Sequence, residues 1–152
     1  MVLDLPAEAI IPELSASTRD EVLAELSANV VTRYPELVDT DIAGILRERE
    51  QLGSTGIGDG VAIPHGKLRN FRQDQVLVFG RSTKGVDFNS LDARKAHLFF
   101  LMLASADAVD THLRMLARIS RLLKDPSVRK ALLDADDAGT IRDIIAEQER
   151  RF

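Results

Sequence analysis

Apolar residues recur along this chain at two spacings, and the change from one to the other marks out its elements. Val22, Leu23, Leu26 and Val30 fall at helical intervals. A helix is therefore expected from Ser17 or Thr18, either of which can cap it, to the Tyr34-Pro35 pair that stops it. Thr18-x-x-Glu21 has the spacing of a capping box. Upstream, Ala9 to Leu14 reads as a short strand or an extended entry segment. A second helix is expected from near Asp39 or Asp41 to Gly53. The glycine-rich loop GSTGIGDG follows, then a short apolar strand, Val61 to Ile63, with His65 at its end.

Gln75 to Ser82 and His97 to Ala104 have strand length, and the second, HLFFLMLA, is apolar on both faces. That pattern belongs to a strand covered on both sides. Lys84-Gly85-Val86-Asp87 reads as a turn and Leu91 to Arg94 as a short connection. Three helices are expected to close the chain. One begins near Asp110, one just after Asp125-Pro126, and one runs from about Gly139 to Gln148. Strands alternating with helices indicate α/β architecture. A length of 152 residues suits a single domain, residues 1–152.

Composition narrows the function classes. With 20 basic and 24 acidic residues the net charge is −4, which argues against a nucleic-acid binder. The densest basic cluster, Arg114, Arg118, Arg121 and Lys124, is spaced for one solvated helix face. Cysteine is absent, which excludes disulfides, thiolate metal sites and cysteine nucleophiles. The start, MVLDLPAEAIIPEL, is acidic where a signal peptide needs a basic region, and the run Leu98 to Ala104 is too short to span a bilayer. A cytoplasmic protein without membrane insertion is the expectation.

Three side chains stand in unusual places. His65 sits between Pro64 and Gly66 at a strand end, where it either closes a turn on a backbone carbonyl or presents an imidazole. In the second helix, at about 100° per residue, Ile42, Ile45 and Leu46 set an apolar stripe with Arg49 at its centre, while Arg47 falls off it. An inward arginine needs an anion, an internal carboxylate partner, or a path to water. In the helix after Asp110, Leu116, Ile119 and Leu123 define the buried face, flanked by Leu113 and Ser120. His112 projects onto that face from the first turn, near free backbone N–H groups. It either bonds a carbonyl there or helps to hold an anion. His97 opens a strand without a glycine-rich setting and reads as structural. The three histidines are scattered and form no H-x-x-x-H pair, so a zinc site is not expected.

Two imidazoles and an inward guanidinium suit a transient phosphoryl group. His65 would take it on a ring nitrogen, Arg49 would neutralise its oxygens, and His112 would add a donor. GSTGIGDG lacks a Walker lysine and does not match G-x-G-x-x-G followed by a helix. The donor is therefore expected to be a protein rather than ATP.

The segment LGSTGIGDGVAIPHGKL, Leu52 to Leu68, resembles the active-site signature of the type-2 (mannitol/fructose) enzyme IIA domains of the bacterial phosphotransferase system. The REREQLGSTGIG lead-in, the GVDFNSLD turn and the THLRMLARISRLLKD helix extend the likeness over nearly the whole chain. The resemblance implies a mixed sheet flanked by helices and a phosphotransferase component with a covalent phosphohistidine. It implies His65 as the phosphorylated residue, His112 as the second active-site histidine and Arg49 as the active-site arginine; no cofactor or metal is expected beside them. It also implies a small histidine phosphocarrier protein as donor. The G-S-T-G-I-G and P-H-G-K-L wording is nearer the nitrogen-related branch, whose free-standing IIA proteins regulate partners by phosphorylation state. A sugar-transport IIA passing the group to a IIB domain, and a non-catalytic interaction module, are the alternatives. One departure is LDARKA before the His97 strand, where relatives often carry a glycine. It bears on the turn geometry.

Overall fold

A computed structural model describes residues 3, 5–73 and 75–151. In chain order it holds β1 (Ile10–Ile11), α1 (Arg19–Arg33), α2 (Ile42–Gln51), β2 (Gly56–Gly58), β3 (Val61–Ala62), β4 (His65–Leu68), β5 (Gln75–Val86), β6 (Ala96–Ser105), α3 (Val109–Leu123), α4 (Pro126–Asp134) and α5 (Ala138–Glu149). These form an α/β fold with one mixed sheet in spatial order β1-β5-β6-β3-β2, and β4 also pairs with β6.

The antiparallel pair β5 and β6, with Phe79 opposite Phe100, is the spine. Because strand side chains alternate, β6 feeds two cores. Leu98, Phe100 and Met102 pack with Met115 and Ile119 of α3, Leu132 of α4 and Ile141 of α5. Phe99, Leu101 and Leu103 pack with Leu23 and Leu26 of α1 and Leu46 of α2. Each such side chain contributes about 1.5–3 kcal/mol on burial, so the sheet is clamped from both faces, as the doubly apolar run predicts.

Local chemistry sets the helix starts. Thr18 accepts from the Glu21 N–H and Glu21 reaches back to the Thr18 N–H, completing the capping box. Asp41, Asp125 and Asp137 cap α2, α4 and α5. Buried Arg81 ties two distant parts together: its Nε donates to the Pro12 carbonyl and its Nη1 to the carbonyls of Leu132 and Ala135.

Several expectations change. Ala9 lies in a short 3₁₀ turn, and the strand after it has two residues. The GSTGIGDG segment is only partly loop, because Gly56–Gly58 pairs with β3. The expected turn at Lys84 to Asp87 is mostly strand: β5 continues to Val86, which pairs with Ala96 across a register shift after Arg81. Gly85 absorbs that shift at φ +82. On α3 the buried face is rotated from the expected one, carrying His112, Met115, Ile119, Leu122 and Leu123. Leu116 is half-buried and Leu113 exposed. The basic cluster is not uniformly solvated either, since Arg118 pairs with buried Glu149 at 3.0 Å. LDARKA keeps its turn, with Ala93 in the left-handed region at φ +61.

Candidate functional site

β3 and β4 lie along the same edge of β6, both parallel to it, with Val61 opposite Leu98 and His65 opposite Met102. Between them Ile63 and Pro64 break the ladder, and the Pro64 carbonyl accepts from the Met102 N–H at 2.9 Å. His65 therefore opens a strand rather than ending one. The break turns its ring back so that the Ile63 carbonyl lies 2.8 Å from Nδ1. With Nδ1–H donating to that carbonyl, the Nε2 lone pair faces outward. The carbonyl bond and the presented nitrogen, alternatives in the sequence, occur together.

Arg49 comes from the last turn of α2. Its Nε donates to His65 Nε2 at 3.3 Å, and its Nη1 donates to the Gly53 carbonyl at 2.9 Å. Arg49 is half-buried and Arg47 exposed, as the helix phase predicts. Among the described residues no carboxylate forms an ion pair with Arg49. His112 arrives from the first turn of α3, its ring centroid 5.6 Å from that of His65 and the planes at 59°. Its side chain is buried, yet Nδ1 has no hydrogen-bond partner. The N-cap of α3 is Ala108, which provides no side-chain cap. All three groups line one open cleft of about 1040 Å³, with Lys67, Arg69 and Leu52 on its walls.

The surroundings disfavour the charged form of both rings. Burial pushes the His65 imidazole below its ordinary value against the opposing Ile63 bond, and the Arg49 charge pushes the same way. Burial also lowers His112; repulsion from a protonated His65 and the charge of Lys67 push the same way. A neutral ring with an outward lone pair, beside a guanidinium and a second imidazole, can attack an electrophilic phosphorus and hold its oxygens.

Two residues have packing or bonding roles that the sequence did not assign to them. Gly66 lets α2 and β4 meet: a Cβ there would lie 2.8 Å from Ile45 Cγ2. Glu50 is 5% exposed and accepts from both the N–H and the hydroxyl of Thr55. The sequence carried a signal for it, because Ile42, Leu46 and Glu50 recur every four residues and are all buried. His97 is away from the cleft, with Nδ1 on the Ser82 carbonyl at 3.0 Å and Gly85 packed over its ring. Among the described residues no three His, Asp or Glu side chains gather as a metal site. No helix among them is long and apolar enough to cross a membrane.

Residues 5–148 match the family described as the phosphoenolpyruvate-dependent sugar phosphotransferase system, EIIA 2. A nitrogen regulatory protein of Bradyrhizobium diazoefficiens is 40% identical over 146 residues, covering 95% of this chain and 94% of that one. The fructose-specific EIIA component of Haloferax volcanii is 34% identical, covering 93% of this chain and 92% of its own. Among solved structures, the nitrogen regulatory protein IIA-Ntr of Neisseria meningitidis superposes with a TM-score of 0.85 at 29% identity, over 92% of this chain and 94% of that one. The chain belongs to the type-2 enzyme IIA family of the phosphotransferase system.

Proposed function

We propose that this protein accepts a phosphoryl group on His65 from a histidine phosphocarrier protein and regulates partner proteins according to whether the group is present. The observation that carries the reading is the Nε2 lone pair of His65, held by Nδ1–H on Ile63 and met by Arg49 at 3.3 Å inside the cleft. In the transfer, Nε2 attacks the phosphorus while the donor's N–P bond breaks and the electron pair stays on the donor ring. No proton moves, because Nδ1–H of His65 is retained on the Ile63 carbonyl. Arg49 then turns its donors from Nε2 to the phosphoryl oxygens, and His112 supplies a further contact from the other wall.

The regulatory part draws on the likeness to the Bradyrhizobium nitrogen regulatory protein along 94% of its length, and on the fold shared with the IIA-Ntr of Neisseria meningitidis. It also draws on the rim of the site. Leu52 on the cleft wall is 85% exposed and Leu113, next to His112, is 61% exposed. A phosphoryl group adds roughly −1.5 to −2 charge, which alters how a partner meets that apolar rim.

The test is incubation with phosphoenolpyruvate, enzyme I and the phosphocarrier protein, followed by intact-mass measurement and acid treatment. One acid-labile phosphoryl group that disappears in His65→Ala is expected, and label persisting in His65→Ala overturns the reading. Rapid onward transfer to a IIB domain would move the assignment to sugar transport. Partner binding indifferent to the donor and to loss of His65 would make the cleft a non-catalytic docking site.

A further inference from the structure

Resting on His65 as the phosphoryl acceptor, we infer that Glu50 is a positioning residue that fixes the orientation of both His65 and Arg49 through the Gly53–Thr55 loop. Arg49 and Glu50 are successive residues at the end of α2, and both grip this loop. The guanidinium donates to the Gly53 carbonyl, and the buried carboxylate receives the N–H of Thr55 at 3.0 Å together with its hydroxyl. The loop passes the constraint on, because the Thr55 carbonyl accepts from the Ile63 N–H at 2.9 Å. Ile63 in turn offers its carbonyl to His65 Nδ1 at 2.8 Å. Glu50 is thus joined to the nucleophilic ring by three successive polar links, and to the guanidinium by the loop both residues hold.

A second effect acts through space. Among the described residues Glu50 makes no ion pair, although it is buried. A carboxylate in that position is held by charge-assisted bonds to Thr55 and opposes the positive charge of adjacent Arg49. During transfer the His65 ring gains positive character while Nδ1–H stays in place, and the nearby anion favours that charge. The charged and titratable groups around His65 are Arg49, Glu48 and Glu50 from α2, His112 from α3, Lys67 from its own strand and Arg69 just beyond it. Glu48 is exposed on the cleft wall, whereas Glu50 is the buried carboxylate whose charge acts on the His65 ring.

The test uses Glu50→Gln, which keeps the shape and removes the charge, and Thr55→Val, which keeps the charge and removes the hydroxyl. Imidazole ¹⁵N shifts of the unphosphorylated protein report the His65 tautomer without any transfer assay. Glu50→Gln is expected to lose the single Nδ1–H form and to slow phosphotransfer by about 10-fold, as for loss of one charge-assisted hydrogen bond. Thr55→Val should act in the same direction, and the double variant should be no slower than the slower single one. A folded Glu50→Gln with the parent tautomer and the parent rate overturns the assignment. If Glu50→Gln does not fold, Thr55→Val carries the same two readouts. If the parent protein takes no phosphoryl group, the reading of His65 fails, while the tautomer comparison still decides the role of Glu50.

Discussion

Replacing Gly66 by alanine puts one methyl group between β4 and α2, against Ile45 and beside the cleft. The new Cβ would lie 2.8 Å from Ile45 Cγ2, with Leu103 Cδ2 at 3.6 Å. Carbon atoms ordinarily settle about 3.5–4.0 Å apart, so the overlap on Ile45 is roughly 0.7–1.2 Å. Ile45 cannot swing aside easily, because a β-branched side chain in a helix is nearly confined to one rotamer. The strain therefore falls on the helix, at a cost of about 1–3 kcal/mol. Arg49 lies one turn further along α2, and a displacement of about 1 Å at a reacting centre slows a step roughly 100-fold. Urea unfolding and rapid-quench phosphotransfer, run together on Gly66→Ala, measure both effects. Ile45→Ala removes the methyl that the new Cβ meets, so the double variant should recover transfer to within about 3-fold of Ile45→Ala alone. A parent-like rate in Gly66→Ala, or no relief in the double variant, would refute the close packing as the reason for glycine.

Other outcomes follow from the same geometry. Arg49→Ala should slow phosphotransfer by about 100-fold with the fold retained, whereas Arg47→Ala should leave the rate unchanged; equal effects would show that the helix phase is wrong. His112→Gln should slow transfer while the label stays on His65, read by peptide mass spectrometry. Ala93→Gly should raise stability by about 0.5–1 kcal/mol, because the left-handed alanine costs about 1–2 kcal/mol and glycine returns part of that as chain entropy; an unchanged urea midpoint would contradict the strained turn. Acid should weaken the fold through the histidines. Burial lowers His65 and His112 below their ordinary value of 6.5, so the unfolded chain takes up protons that the folded one refuses. Their contribution is intact above 6.5 and falls away as pH drops from there through the lowered native values. Urea midpoints between about pH 7.5 and about pH 5.5 should show this slope, reduced in His112→Gln.

Which parts of this were legible in the sequence follows from where the stabilising contacts lie. The capping box of Thr18 and Glu21 and the Asp41 cap on α2 depend on residues within three positions, so a local pattern suffices. The doubly apolar β6 was legible because both its faces are buried. Arg49 was legible because Ile42 and Leu46 fix the phase of its helix. Strand β2 was not, because its glycines carry no apolar signal and its pairing with β3 is a matter of tertiary position. The extension of β5 past Lys84 was hidden for a similar reason: a glycine and a lysine look like a turn until Val86 finds Ala96. On α3 the choice of Leu116 over Met115 and Leu122 misplaced the buried face, yet His112 falls on both versions of it. Glu50 was passed over because a carboxylate on a buried stripe reads as solvated unless its partner is known, and that partner is in the next loop.

The central claim is that one nitrogen is made ready by the backbone and met by a guanidinium. Combined ³¹P and ¹⁵N NMR of the phosphorylated protein tests it most directly, because the two ring nitrogens give distinct couplings to phosphorus. The account predicts a single N–P bond at Nε2 of His65, with Nδ1 still protonated toward Ile63. A bond at Nδ1 of His65, or at either nitrogen of His112, would contradict it.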